Sequence, residues 1–198
     1  MKNDLFSIGP FTVHGYGLMI AIGVLSAYYM VEYRAKKKQM DWEKVFPLTV
    51  WSVLGGFLGS KILYLLTRLP DILANPALLG SSIKDGFVVY GGIIGGILTA
   101  WIYCKCTKWN FWKIFDIAMP AVAMAQGFGR IGCLLAGCCY GIELDPANPI
   151  GIVFHNSAYA PNDVALLPTQ IISSVLDFAN CFVLLALSKK LKTDGQVA

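Results

Sequence analysis

Arg130 stands in the stretch GFGRIGCLLAGCCYG, Gly127 to Gly141, late in an apolar run that begins near Ile114. A guanidinium does not shed its proton, and at bilayer depth it costs from ~2.5 to well over 10 kcal/mol unless it is paired or wet. Such a side chain faces the protein interior or a cavity, where phosphate or carboxylate is its natural partner. Gly127, Gly129, Gly132, Gly137 and Gly141 flank it, and glycines let a backbone, a helix or a ligand come close. The stretch therefore reads as an intramembrane anion site. Snorkelling of Arg130 to the membrane surface is the plainer alternative. Other polar residues at the ends of apolar runs can join it: His14 and Tyr16 at the start of the first, Tyr90 at the start of the third, Thr169 and Gln170 at the start of the last. Lys61 lies within the second run and either joins this group or pairs with Asp116 or Asp177. The plainer reading of Asp116 is a helix N-terminal charge.

Three cysteines, Cys133, Cys138 and Cys139, follow Arg130; Cys104, Cys106 and Cys181 complete the six. None forms a C-x-x-C pair, and the spacing of the three is not a standard zinc pattern. They read as small buried hydrophobes, and no metal is expected. Gly127 to Gly132 fits G-x-G-x-x-G, but a dinucleotide site needs a preceding strand and a βαβ unit, which a membrane helix cannot supply. GGFLGSK, Gly55 to Lys61, lacks the P-loop order. Gly91, Gly92, Gly95 and Gly96 form two overlapping GxxxG pairs, the signature of close helix packing.

The elements that hold these residues follow from composition. Of 198 residues, 56% are hydrophobic and 14% charged, with a mean hydropathy of +0.60. Five apolar runs approach the ~20 residues that span a bilayer: about Val13–Tyr33, Val45–Leu66, Gly86–Cys104, Phe115–Ala136 and Leu167–Leu187. The expected fold is all-α, a polytopic integral membrane protein with one transmembrane domain over residues 1–198. Residues 1–12 are a polar lead-in broken at Gly9-Pro10, and the first run reads as a retained span because it lacks a cleavage site. Residues 67–85 form a loop with room for a short interfacial helix, and residues 140–166 form a long loop with little periodicity.

If the spans alternate, Arg34, Lys36, Lys37, Lys38, Lys44, Lys105, Lys108, Lys113, Lys189, Lys190 and Lys192 fall on one side, and Lys2, Arg68 and Lys84 on the other. Eleven against three places the N-terminus outside, the C-terminus inside and the 140–166 loop outside the cytoplasm. Trp42, Trp109 and Trp112 fit the inner aromatic belt. The net charge of +4 calls for no nucleic acid.

Taken together, the blocks resemble the bacterial prolipoprotein diacylglyceryl transferase family. The resemblance runs through SIGPFTVHGYGLM (Ser7–Met19), GGFLGSKILY (Gly55–Tyr64), DGFVVYGGIIGG (Asp85–Gly96), FDIAMPAVAMAQGFGRIGCLLAGCCYG (Phe115–Gly141), PTQ (Pro168–Gln170) and DGQV (Asp194–Val197). It implies a multi-pass protein of the bacterial cytoplasmic membrane. It also implies transfer of the diacylglyceryl group of phosphatidylglycerol to the lipobox cysteine of a prolipoprotein, with release of glycerol phosphate and without a cofactor. By the same resemblance, Arg130, Tyr16 and Tyr90 are the catalytic candidates. Arg130, His14, Gly129, Gly132, Cys133, Gly141 and Gln170 are the candidates for binding phosphatidylglycerol, and Asp116 matches the family's span-four aspartate.

The sequence departs from the family pattern at several of these positions. Tyr90 stands where the family has histidine, Cys133 where it has asparagine, Cys138 where it has an acidic residue, and Ile172-Ser173 where it has tyrosine-glutamate. In the family pattern further spans with a second arginine follow the position of Ala198, so the chain reads either as a natural short, divergent member or as one whose C-terminal part is missing. These departures keep a second expectation open, a non-catalytic member that binds phospholipid or precursor. A small transporter or thiol-redox protein is a third class, disfavoured by the lack of an internal repeat.

Overall fold

A computed structural model describes residues 4–8, 11–75, 80, 83, 86–190 and 195–196. Two short strands open the chain, β1 (Asp4–Ile8) and β2 (Phe11–His14), followed by α1 (Gly15–Lys37). A 3-10 turn (Trp42–Lys44) leads into α2 (Val45–Thr67), then come α3 (Leu69–Ala74), α4 (Val89–Thr107) and α5 (Phe111–Ala136). Strands β3 (Ile152–Val153) and β4 (Ala165–Leu166) precede α6 (Thr169–Lys190). All but α3 are long and apolar enough to cross a membrane. At 1.5 Å per residue they measure about 28–39 Å, enough for a hydrocarbon core of about 30 Å.

Three expectations need correction. The polar lead-in is an antiparallel pair in which Asp4 faces His14 and Ile8 faces Phe11, so the first helix begins at Gly15 instead of Val13. The loop after α5 holds the antiparallel pair β3–β4 around a small core of Phe154, Ala160 and Leu166. Arg34 is not a loop charge: α1 continues to Lys37, and Arg34 is buried in it. Asp85 and Asp194, which open two of the sequence blocks, lie outside the described residues.

The chain divides into two compact units, one containing residues up to Arg34 and from Phe115 onward, the other residues 35–114. In the second unit α2 and α4 run antiparallel along a glycine seam. A Cβ on Gly59 would sit 2.9 Å from the Gly95 Cα, and one on Gly91 would sit 2.6 Å from the Leu63 Cβ. Without side chains at the seam the backbones can approach closely, which is how helices associate where lipid removes the hydrophobic drive. Ser60 and Lys61 strap the segment before α4: Ser60 Oγ donates to the Val88 carbonyl (2.7 Å) and Lys61 Nζ to the Gly86 carbonyl (3.1 Å). The Lys61 ammonium also lies 4.7 Å from the ring centre of Phe87 and 5.2 Å from that of Tyr64. At the other end of this unit Lys36 sits over Trp42 at 4.0 Å, Lys44 near Trp109 and Lys105 near Trp101. Basic residues on indole faces are what an interfacial belt requires.

In the first unit α5 is central. Gly23 of α1 packs against Ala125 and Phe128, and Gly127 packs against Phe178 of α6. Phe128 and Phe178 meet edge to face at 5.2 Å. Pro120 lies inside α5. Proline has no N–H, so the carbonyl four residues back, that of Asp116, loses its helical donor. Arg34 supplies one: its Nη2 donates to the Asp116 carbonyl at 3.4 Å. The Asp116 side chain is buried as well and accepts a hydrogen bond from the Gly195 amide at 2.6 Å. Asp116 is therefore a buried anchor in the second turn of α5, not a charge at the helix N-terminus.

Candidate functional site

Arg130 projects from α5 two turns before the helix ends, and it is half-buried. Among the described residues its guanidinium makes no hydrogen bond and no ion pair within contact distance; its charge acts on Asp177 of α6 from farther away. Next to it, a side chain added at Gly129 would meet nothing within 4 Å, so space opens beside the charge. Gly132, one turn on, is closed: a Cβ there would lie 3.1 Å from the Tyr16 ring. Tyr16 thus packs on the arginine's helix near that opening, with 42% of its surface exposed. His14, at the end of β2, is exposed.

The end of α5 is a closed structure. Gly137 takes a left-handed backbone (φ +74°), its amide donates to the Leu134 carbonyl (3.2 Å), and the Cys138 amide donates to the Cys133 carbonyl (3.0 Å). This is the Schellman pattern, which favours glycine at that position. Cys139 is also left-handed (φ +58°), a conformation that costs about 1–3 kcal/mol for a residue with a Cβ and persists only where neighbours hold it. The start of α6 holds it: Thr169 Oγ1 donates to the Cys139 carbonyl (2.7 Å) and Gln170 Nε2 to the Cys138 carbonyl (2.8 Å). Gly141 fits beneath this clamp because a Cβ there would lie 2.7 Å from Thr169 and 2.9 Å from Leu167. The segment PTQ therefore fixes the segment CCYG.

Gln170 begins a polar stripe on α6. Gln170, Ser174, Asp177 and Cys181 recur at helical spacing; Gln170, Ser174 and Cys181 are buried, and Asp177 is partly so. Ser174 Oγ donates to the Gly127 carbonyl at 3.0 Å. Gln170 Oε1 and Asp177 Oδ2 are buried without a partner among the described residues. Only Gln170 of this stripe was expected in the site, although the i, i+4, i+7 spacing of the other polar residues is legible in sequence.

Of the residues expected in the site, Arg130, Gly129, Gly132, Tyr16, Cys133, Gly141 and Gln170 belong to one unit, along α5 and the helix ends beside it. Tyr90 belongs to the other unit, where it is 74% exposed at the start of α4 and makes no hydrogen bond among the described residues. Cys104 and Cys181 are buried as small hydrophobes; Cys133 and Cys138 are half-buried and Cys139 is exposed. Burial raises the Cys138 thiol above the ordinary range and Cys139 adds to the effect, so this thiol stays protonated at neutral pH.

Five apolar helices long enough to cross a bilayer define a multi-pass membrane protein, and in α5 Arg130, without a partner among the described residues, stands beside open space at Gly129. Residues 3–198 match the family described as prolipoprotein diacylglyceryl transferase, and the chain belongs to that family. It is 44% identical over its whole length to the phosphatidylglycerol–prolipoprotein diacylglyceryl transferase of Clostridium tetani, covering 78% of that protein. It is 42% identical over 99% of its length to a second such transferase, from Clostridium perfringens, covering 76% of it. A Dehalococcoides mccartyi protein of the same name is 31% identical over 97% of the chain, with 73% of that protein covered.

Proposed function

We propose that the chain transfers the diacylglyceryl group of phosphatidylglycerol to the cysteine thiol of a prolipoprotein and acts in the bacterial cytoplasmic membrane as a single transmembrane domain. The cysteine thiol gives up its proton, which ends on the departing phosphate or in water, and its sulfur attacks the glyceryl carbon. A carbon–sulfur bond forms as the carbon–oxygen bond to phosphate breaks, and glycerol phosphate departs. The observation that carries this reading is Arg130, half-buried in a membrane helix, unpaired among the described residues, with open space at Gly129. A guanidinium matches phosphate oxygens two at a time. It holds the head group and meets the charge that grows on the leaving oxygen. Tyr16 is assigned to hydrogen bonding and proton handling at the reacting groups. His14, Gly132, Cys133, Gly141 and Gln170 line or support the head-group pocket.

The test is transfer of labelled diacylglycerol from phosphatidylglycerol to a lipobox peptide, read by the mass of the thioether product. Product is expected with the cysteine peptide and not with its serine counterpart. Binding of phosphatidylglycerol without product would instead support the non-catalytic reading, which the exposed tyrosine at position 90 favours.

The site faces outward under this assignment, because the basic ends of the spans lie on the cytoplasmic side. A reporter fused after Lys192 is expected to read cytoplasmic, and one inserted within residues 145–160 extracytoplasmic. Reversed signals would place Arg130 in the inner leaflet and remove its access to an exported precursor.

A further inference from the structure

Three thiols converge where α5 ends, at positions that the transfer chemistry does not require to be cysteine. The Schellman closure joins Cys133 to Cys138 through the backbone, and Cys139 follows directly with a left-handed backbone. The Cys138 and Cys139 carbonyls are pinned by Gln170 and Thr169 respectively, so the cluster is held by the fold. The three sulfurs all lie within 4.8 Å of one another. The cluster reaches the surface through Cys139, so an ion can enter.

We infer that Cys133, Cys138 and Cys139 form a three-sulfur binding site for a thiophilic closed-shell cation, of which Zn(II), Cd(II) and Cu(I) are the chemical type. The sulfur spacing supports this. A metal–sulfur bond of about 2.3 Å places the sulfurs of a three-thiolate set roughly 3.8–4.0 Å apart, within the observed limit. Ligand type supports it as well: the group contains no carboxylate or imidazole, and an all-thiolate set selects soft cations over Mg(II) or Ca(II). Binding changes no oxidation state. Each coordinating thiol gives its proton to water, and a sulfur–metal bond takes its place. Water fills any remaining position. Tyr16 is within electrostatic reach of all three sulfurs, so occupancy also alters the charge beside the head-group pocket. The inference itself does not depend on transferase activity.

Cd(II) is the probe, added to the reduced full chain in lipid nanodiscs. A saturable thiolate-to-metal charge-transfer band in the ultraviolet is expected at one Cd(II) per chain, with Zn(II) competing. Cys133→Ser and Cys138→Ser should each weaken binding by roughly a hundredfold, at the upper end of what loss of a supporting partner costs a metal site. Cys104→Ser, Cys106→Ser and Cys181→Ser should leave it unchanged. A second readout uses the parent chain alone: Cd(II) should protect Cys133, Cys138 and Cys139 from alkylation together, as read by peptide mass. The inference is overturned if no saturable band forms. Binding that survives the triple serine variant, or a Cys133–Cys138 disulfide under reducing conditions in place of metal binding, would overturn it as well.

Discussion

Arg130→Ala is expected to lower diacylglyceryl transfer by roughly a hundredfold. Loss of a hydrogen bond to a charged group costs about 1.5–3 kcal/mol, and a contact made in the transition state is worth about 2.7–4 kcal/mol. At about 1.4 kcal/mol per factor of ten, the overlap of the two ranges gives that figure. Arg130→Lys keeps the charge and loses the planar fork, so it should recover only part of the rate. The distinction comes from the structure. An arginine that merely reaches lipid head groups could be replaced by any long cation, whereas Arg130 is half-buried beside Gly129, where bulk is absent and a ligand can enter. Steady-state rates of the three proteins in one lipid composition decide between them. Full activity of the lysine variant would end the two-point phosphate contact.

The second large effect lies at the far end of the same helix. Asp116→Ala is expected to destabilise the fold by about 3–5 kcal/mol, the cost of leaving a buried charge without its counter-charge. Arg34 is buried, one of its nitrogens has no partner among the described residues, and Asp116 supplies both the carbonyl it bonds and the carboxylate within its electrostatic reach. The substitution also removes the acceptor for the Gly195 amide. Asp116→Asn keeps an acceptor and loses the charge, so a smaller loss is expected. Unfolding midpoints in detergent measure both. Parent-like midpoints for the alanine variant would show that Arg34 is solvated instead of paired.

The five spans were legible because a membrane helix must be apolar for most of its length, and a run of that kind needs no partner to be seen. Arg130 was legible for the converse reason: a charge inside such a run requires an explanation. What the sequence concealed is what depends on tertiary contact. Arg34 sits in a basic run, RAKKK, and looks like its neighbours; only the carbonyl that Pro120 strips of its helical donor gives it a distinct role. The pairing of β1 with β2 is hidden in eleven residues with no long apolar pattern. Convergence of the three sulfurs follows from the left-handed residues Gly137 and Cys139 and from the clamp by Thr169 and Gln170, neither of which linear spacing conveys. The stripe from Gln170 to Cys181 lay open to a periodicity argument.

Phosphate contact at Arg130 is best tested without relying on turnover. A phosphatidylglycerol analogue with a photoreactive head group, incorporated in nanodiscs with the full chain, reports where the head group rests. Adducts are expected between Gln126 and Gly141, along α5 and just past its end, and at the start of α6, competed by unlabelled phosphatidylglycerol and lost in Arg130→Ala. Adducts confined to the basic belt around Trp42 and Trp109, unchanged by competitor and by that substitution, would contradict the assignment of Arg130 to the lipid phosphate.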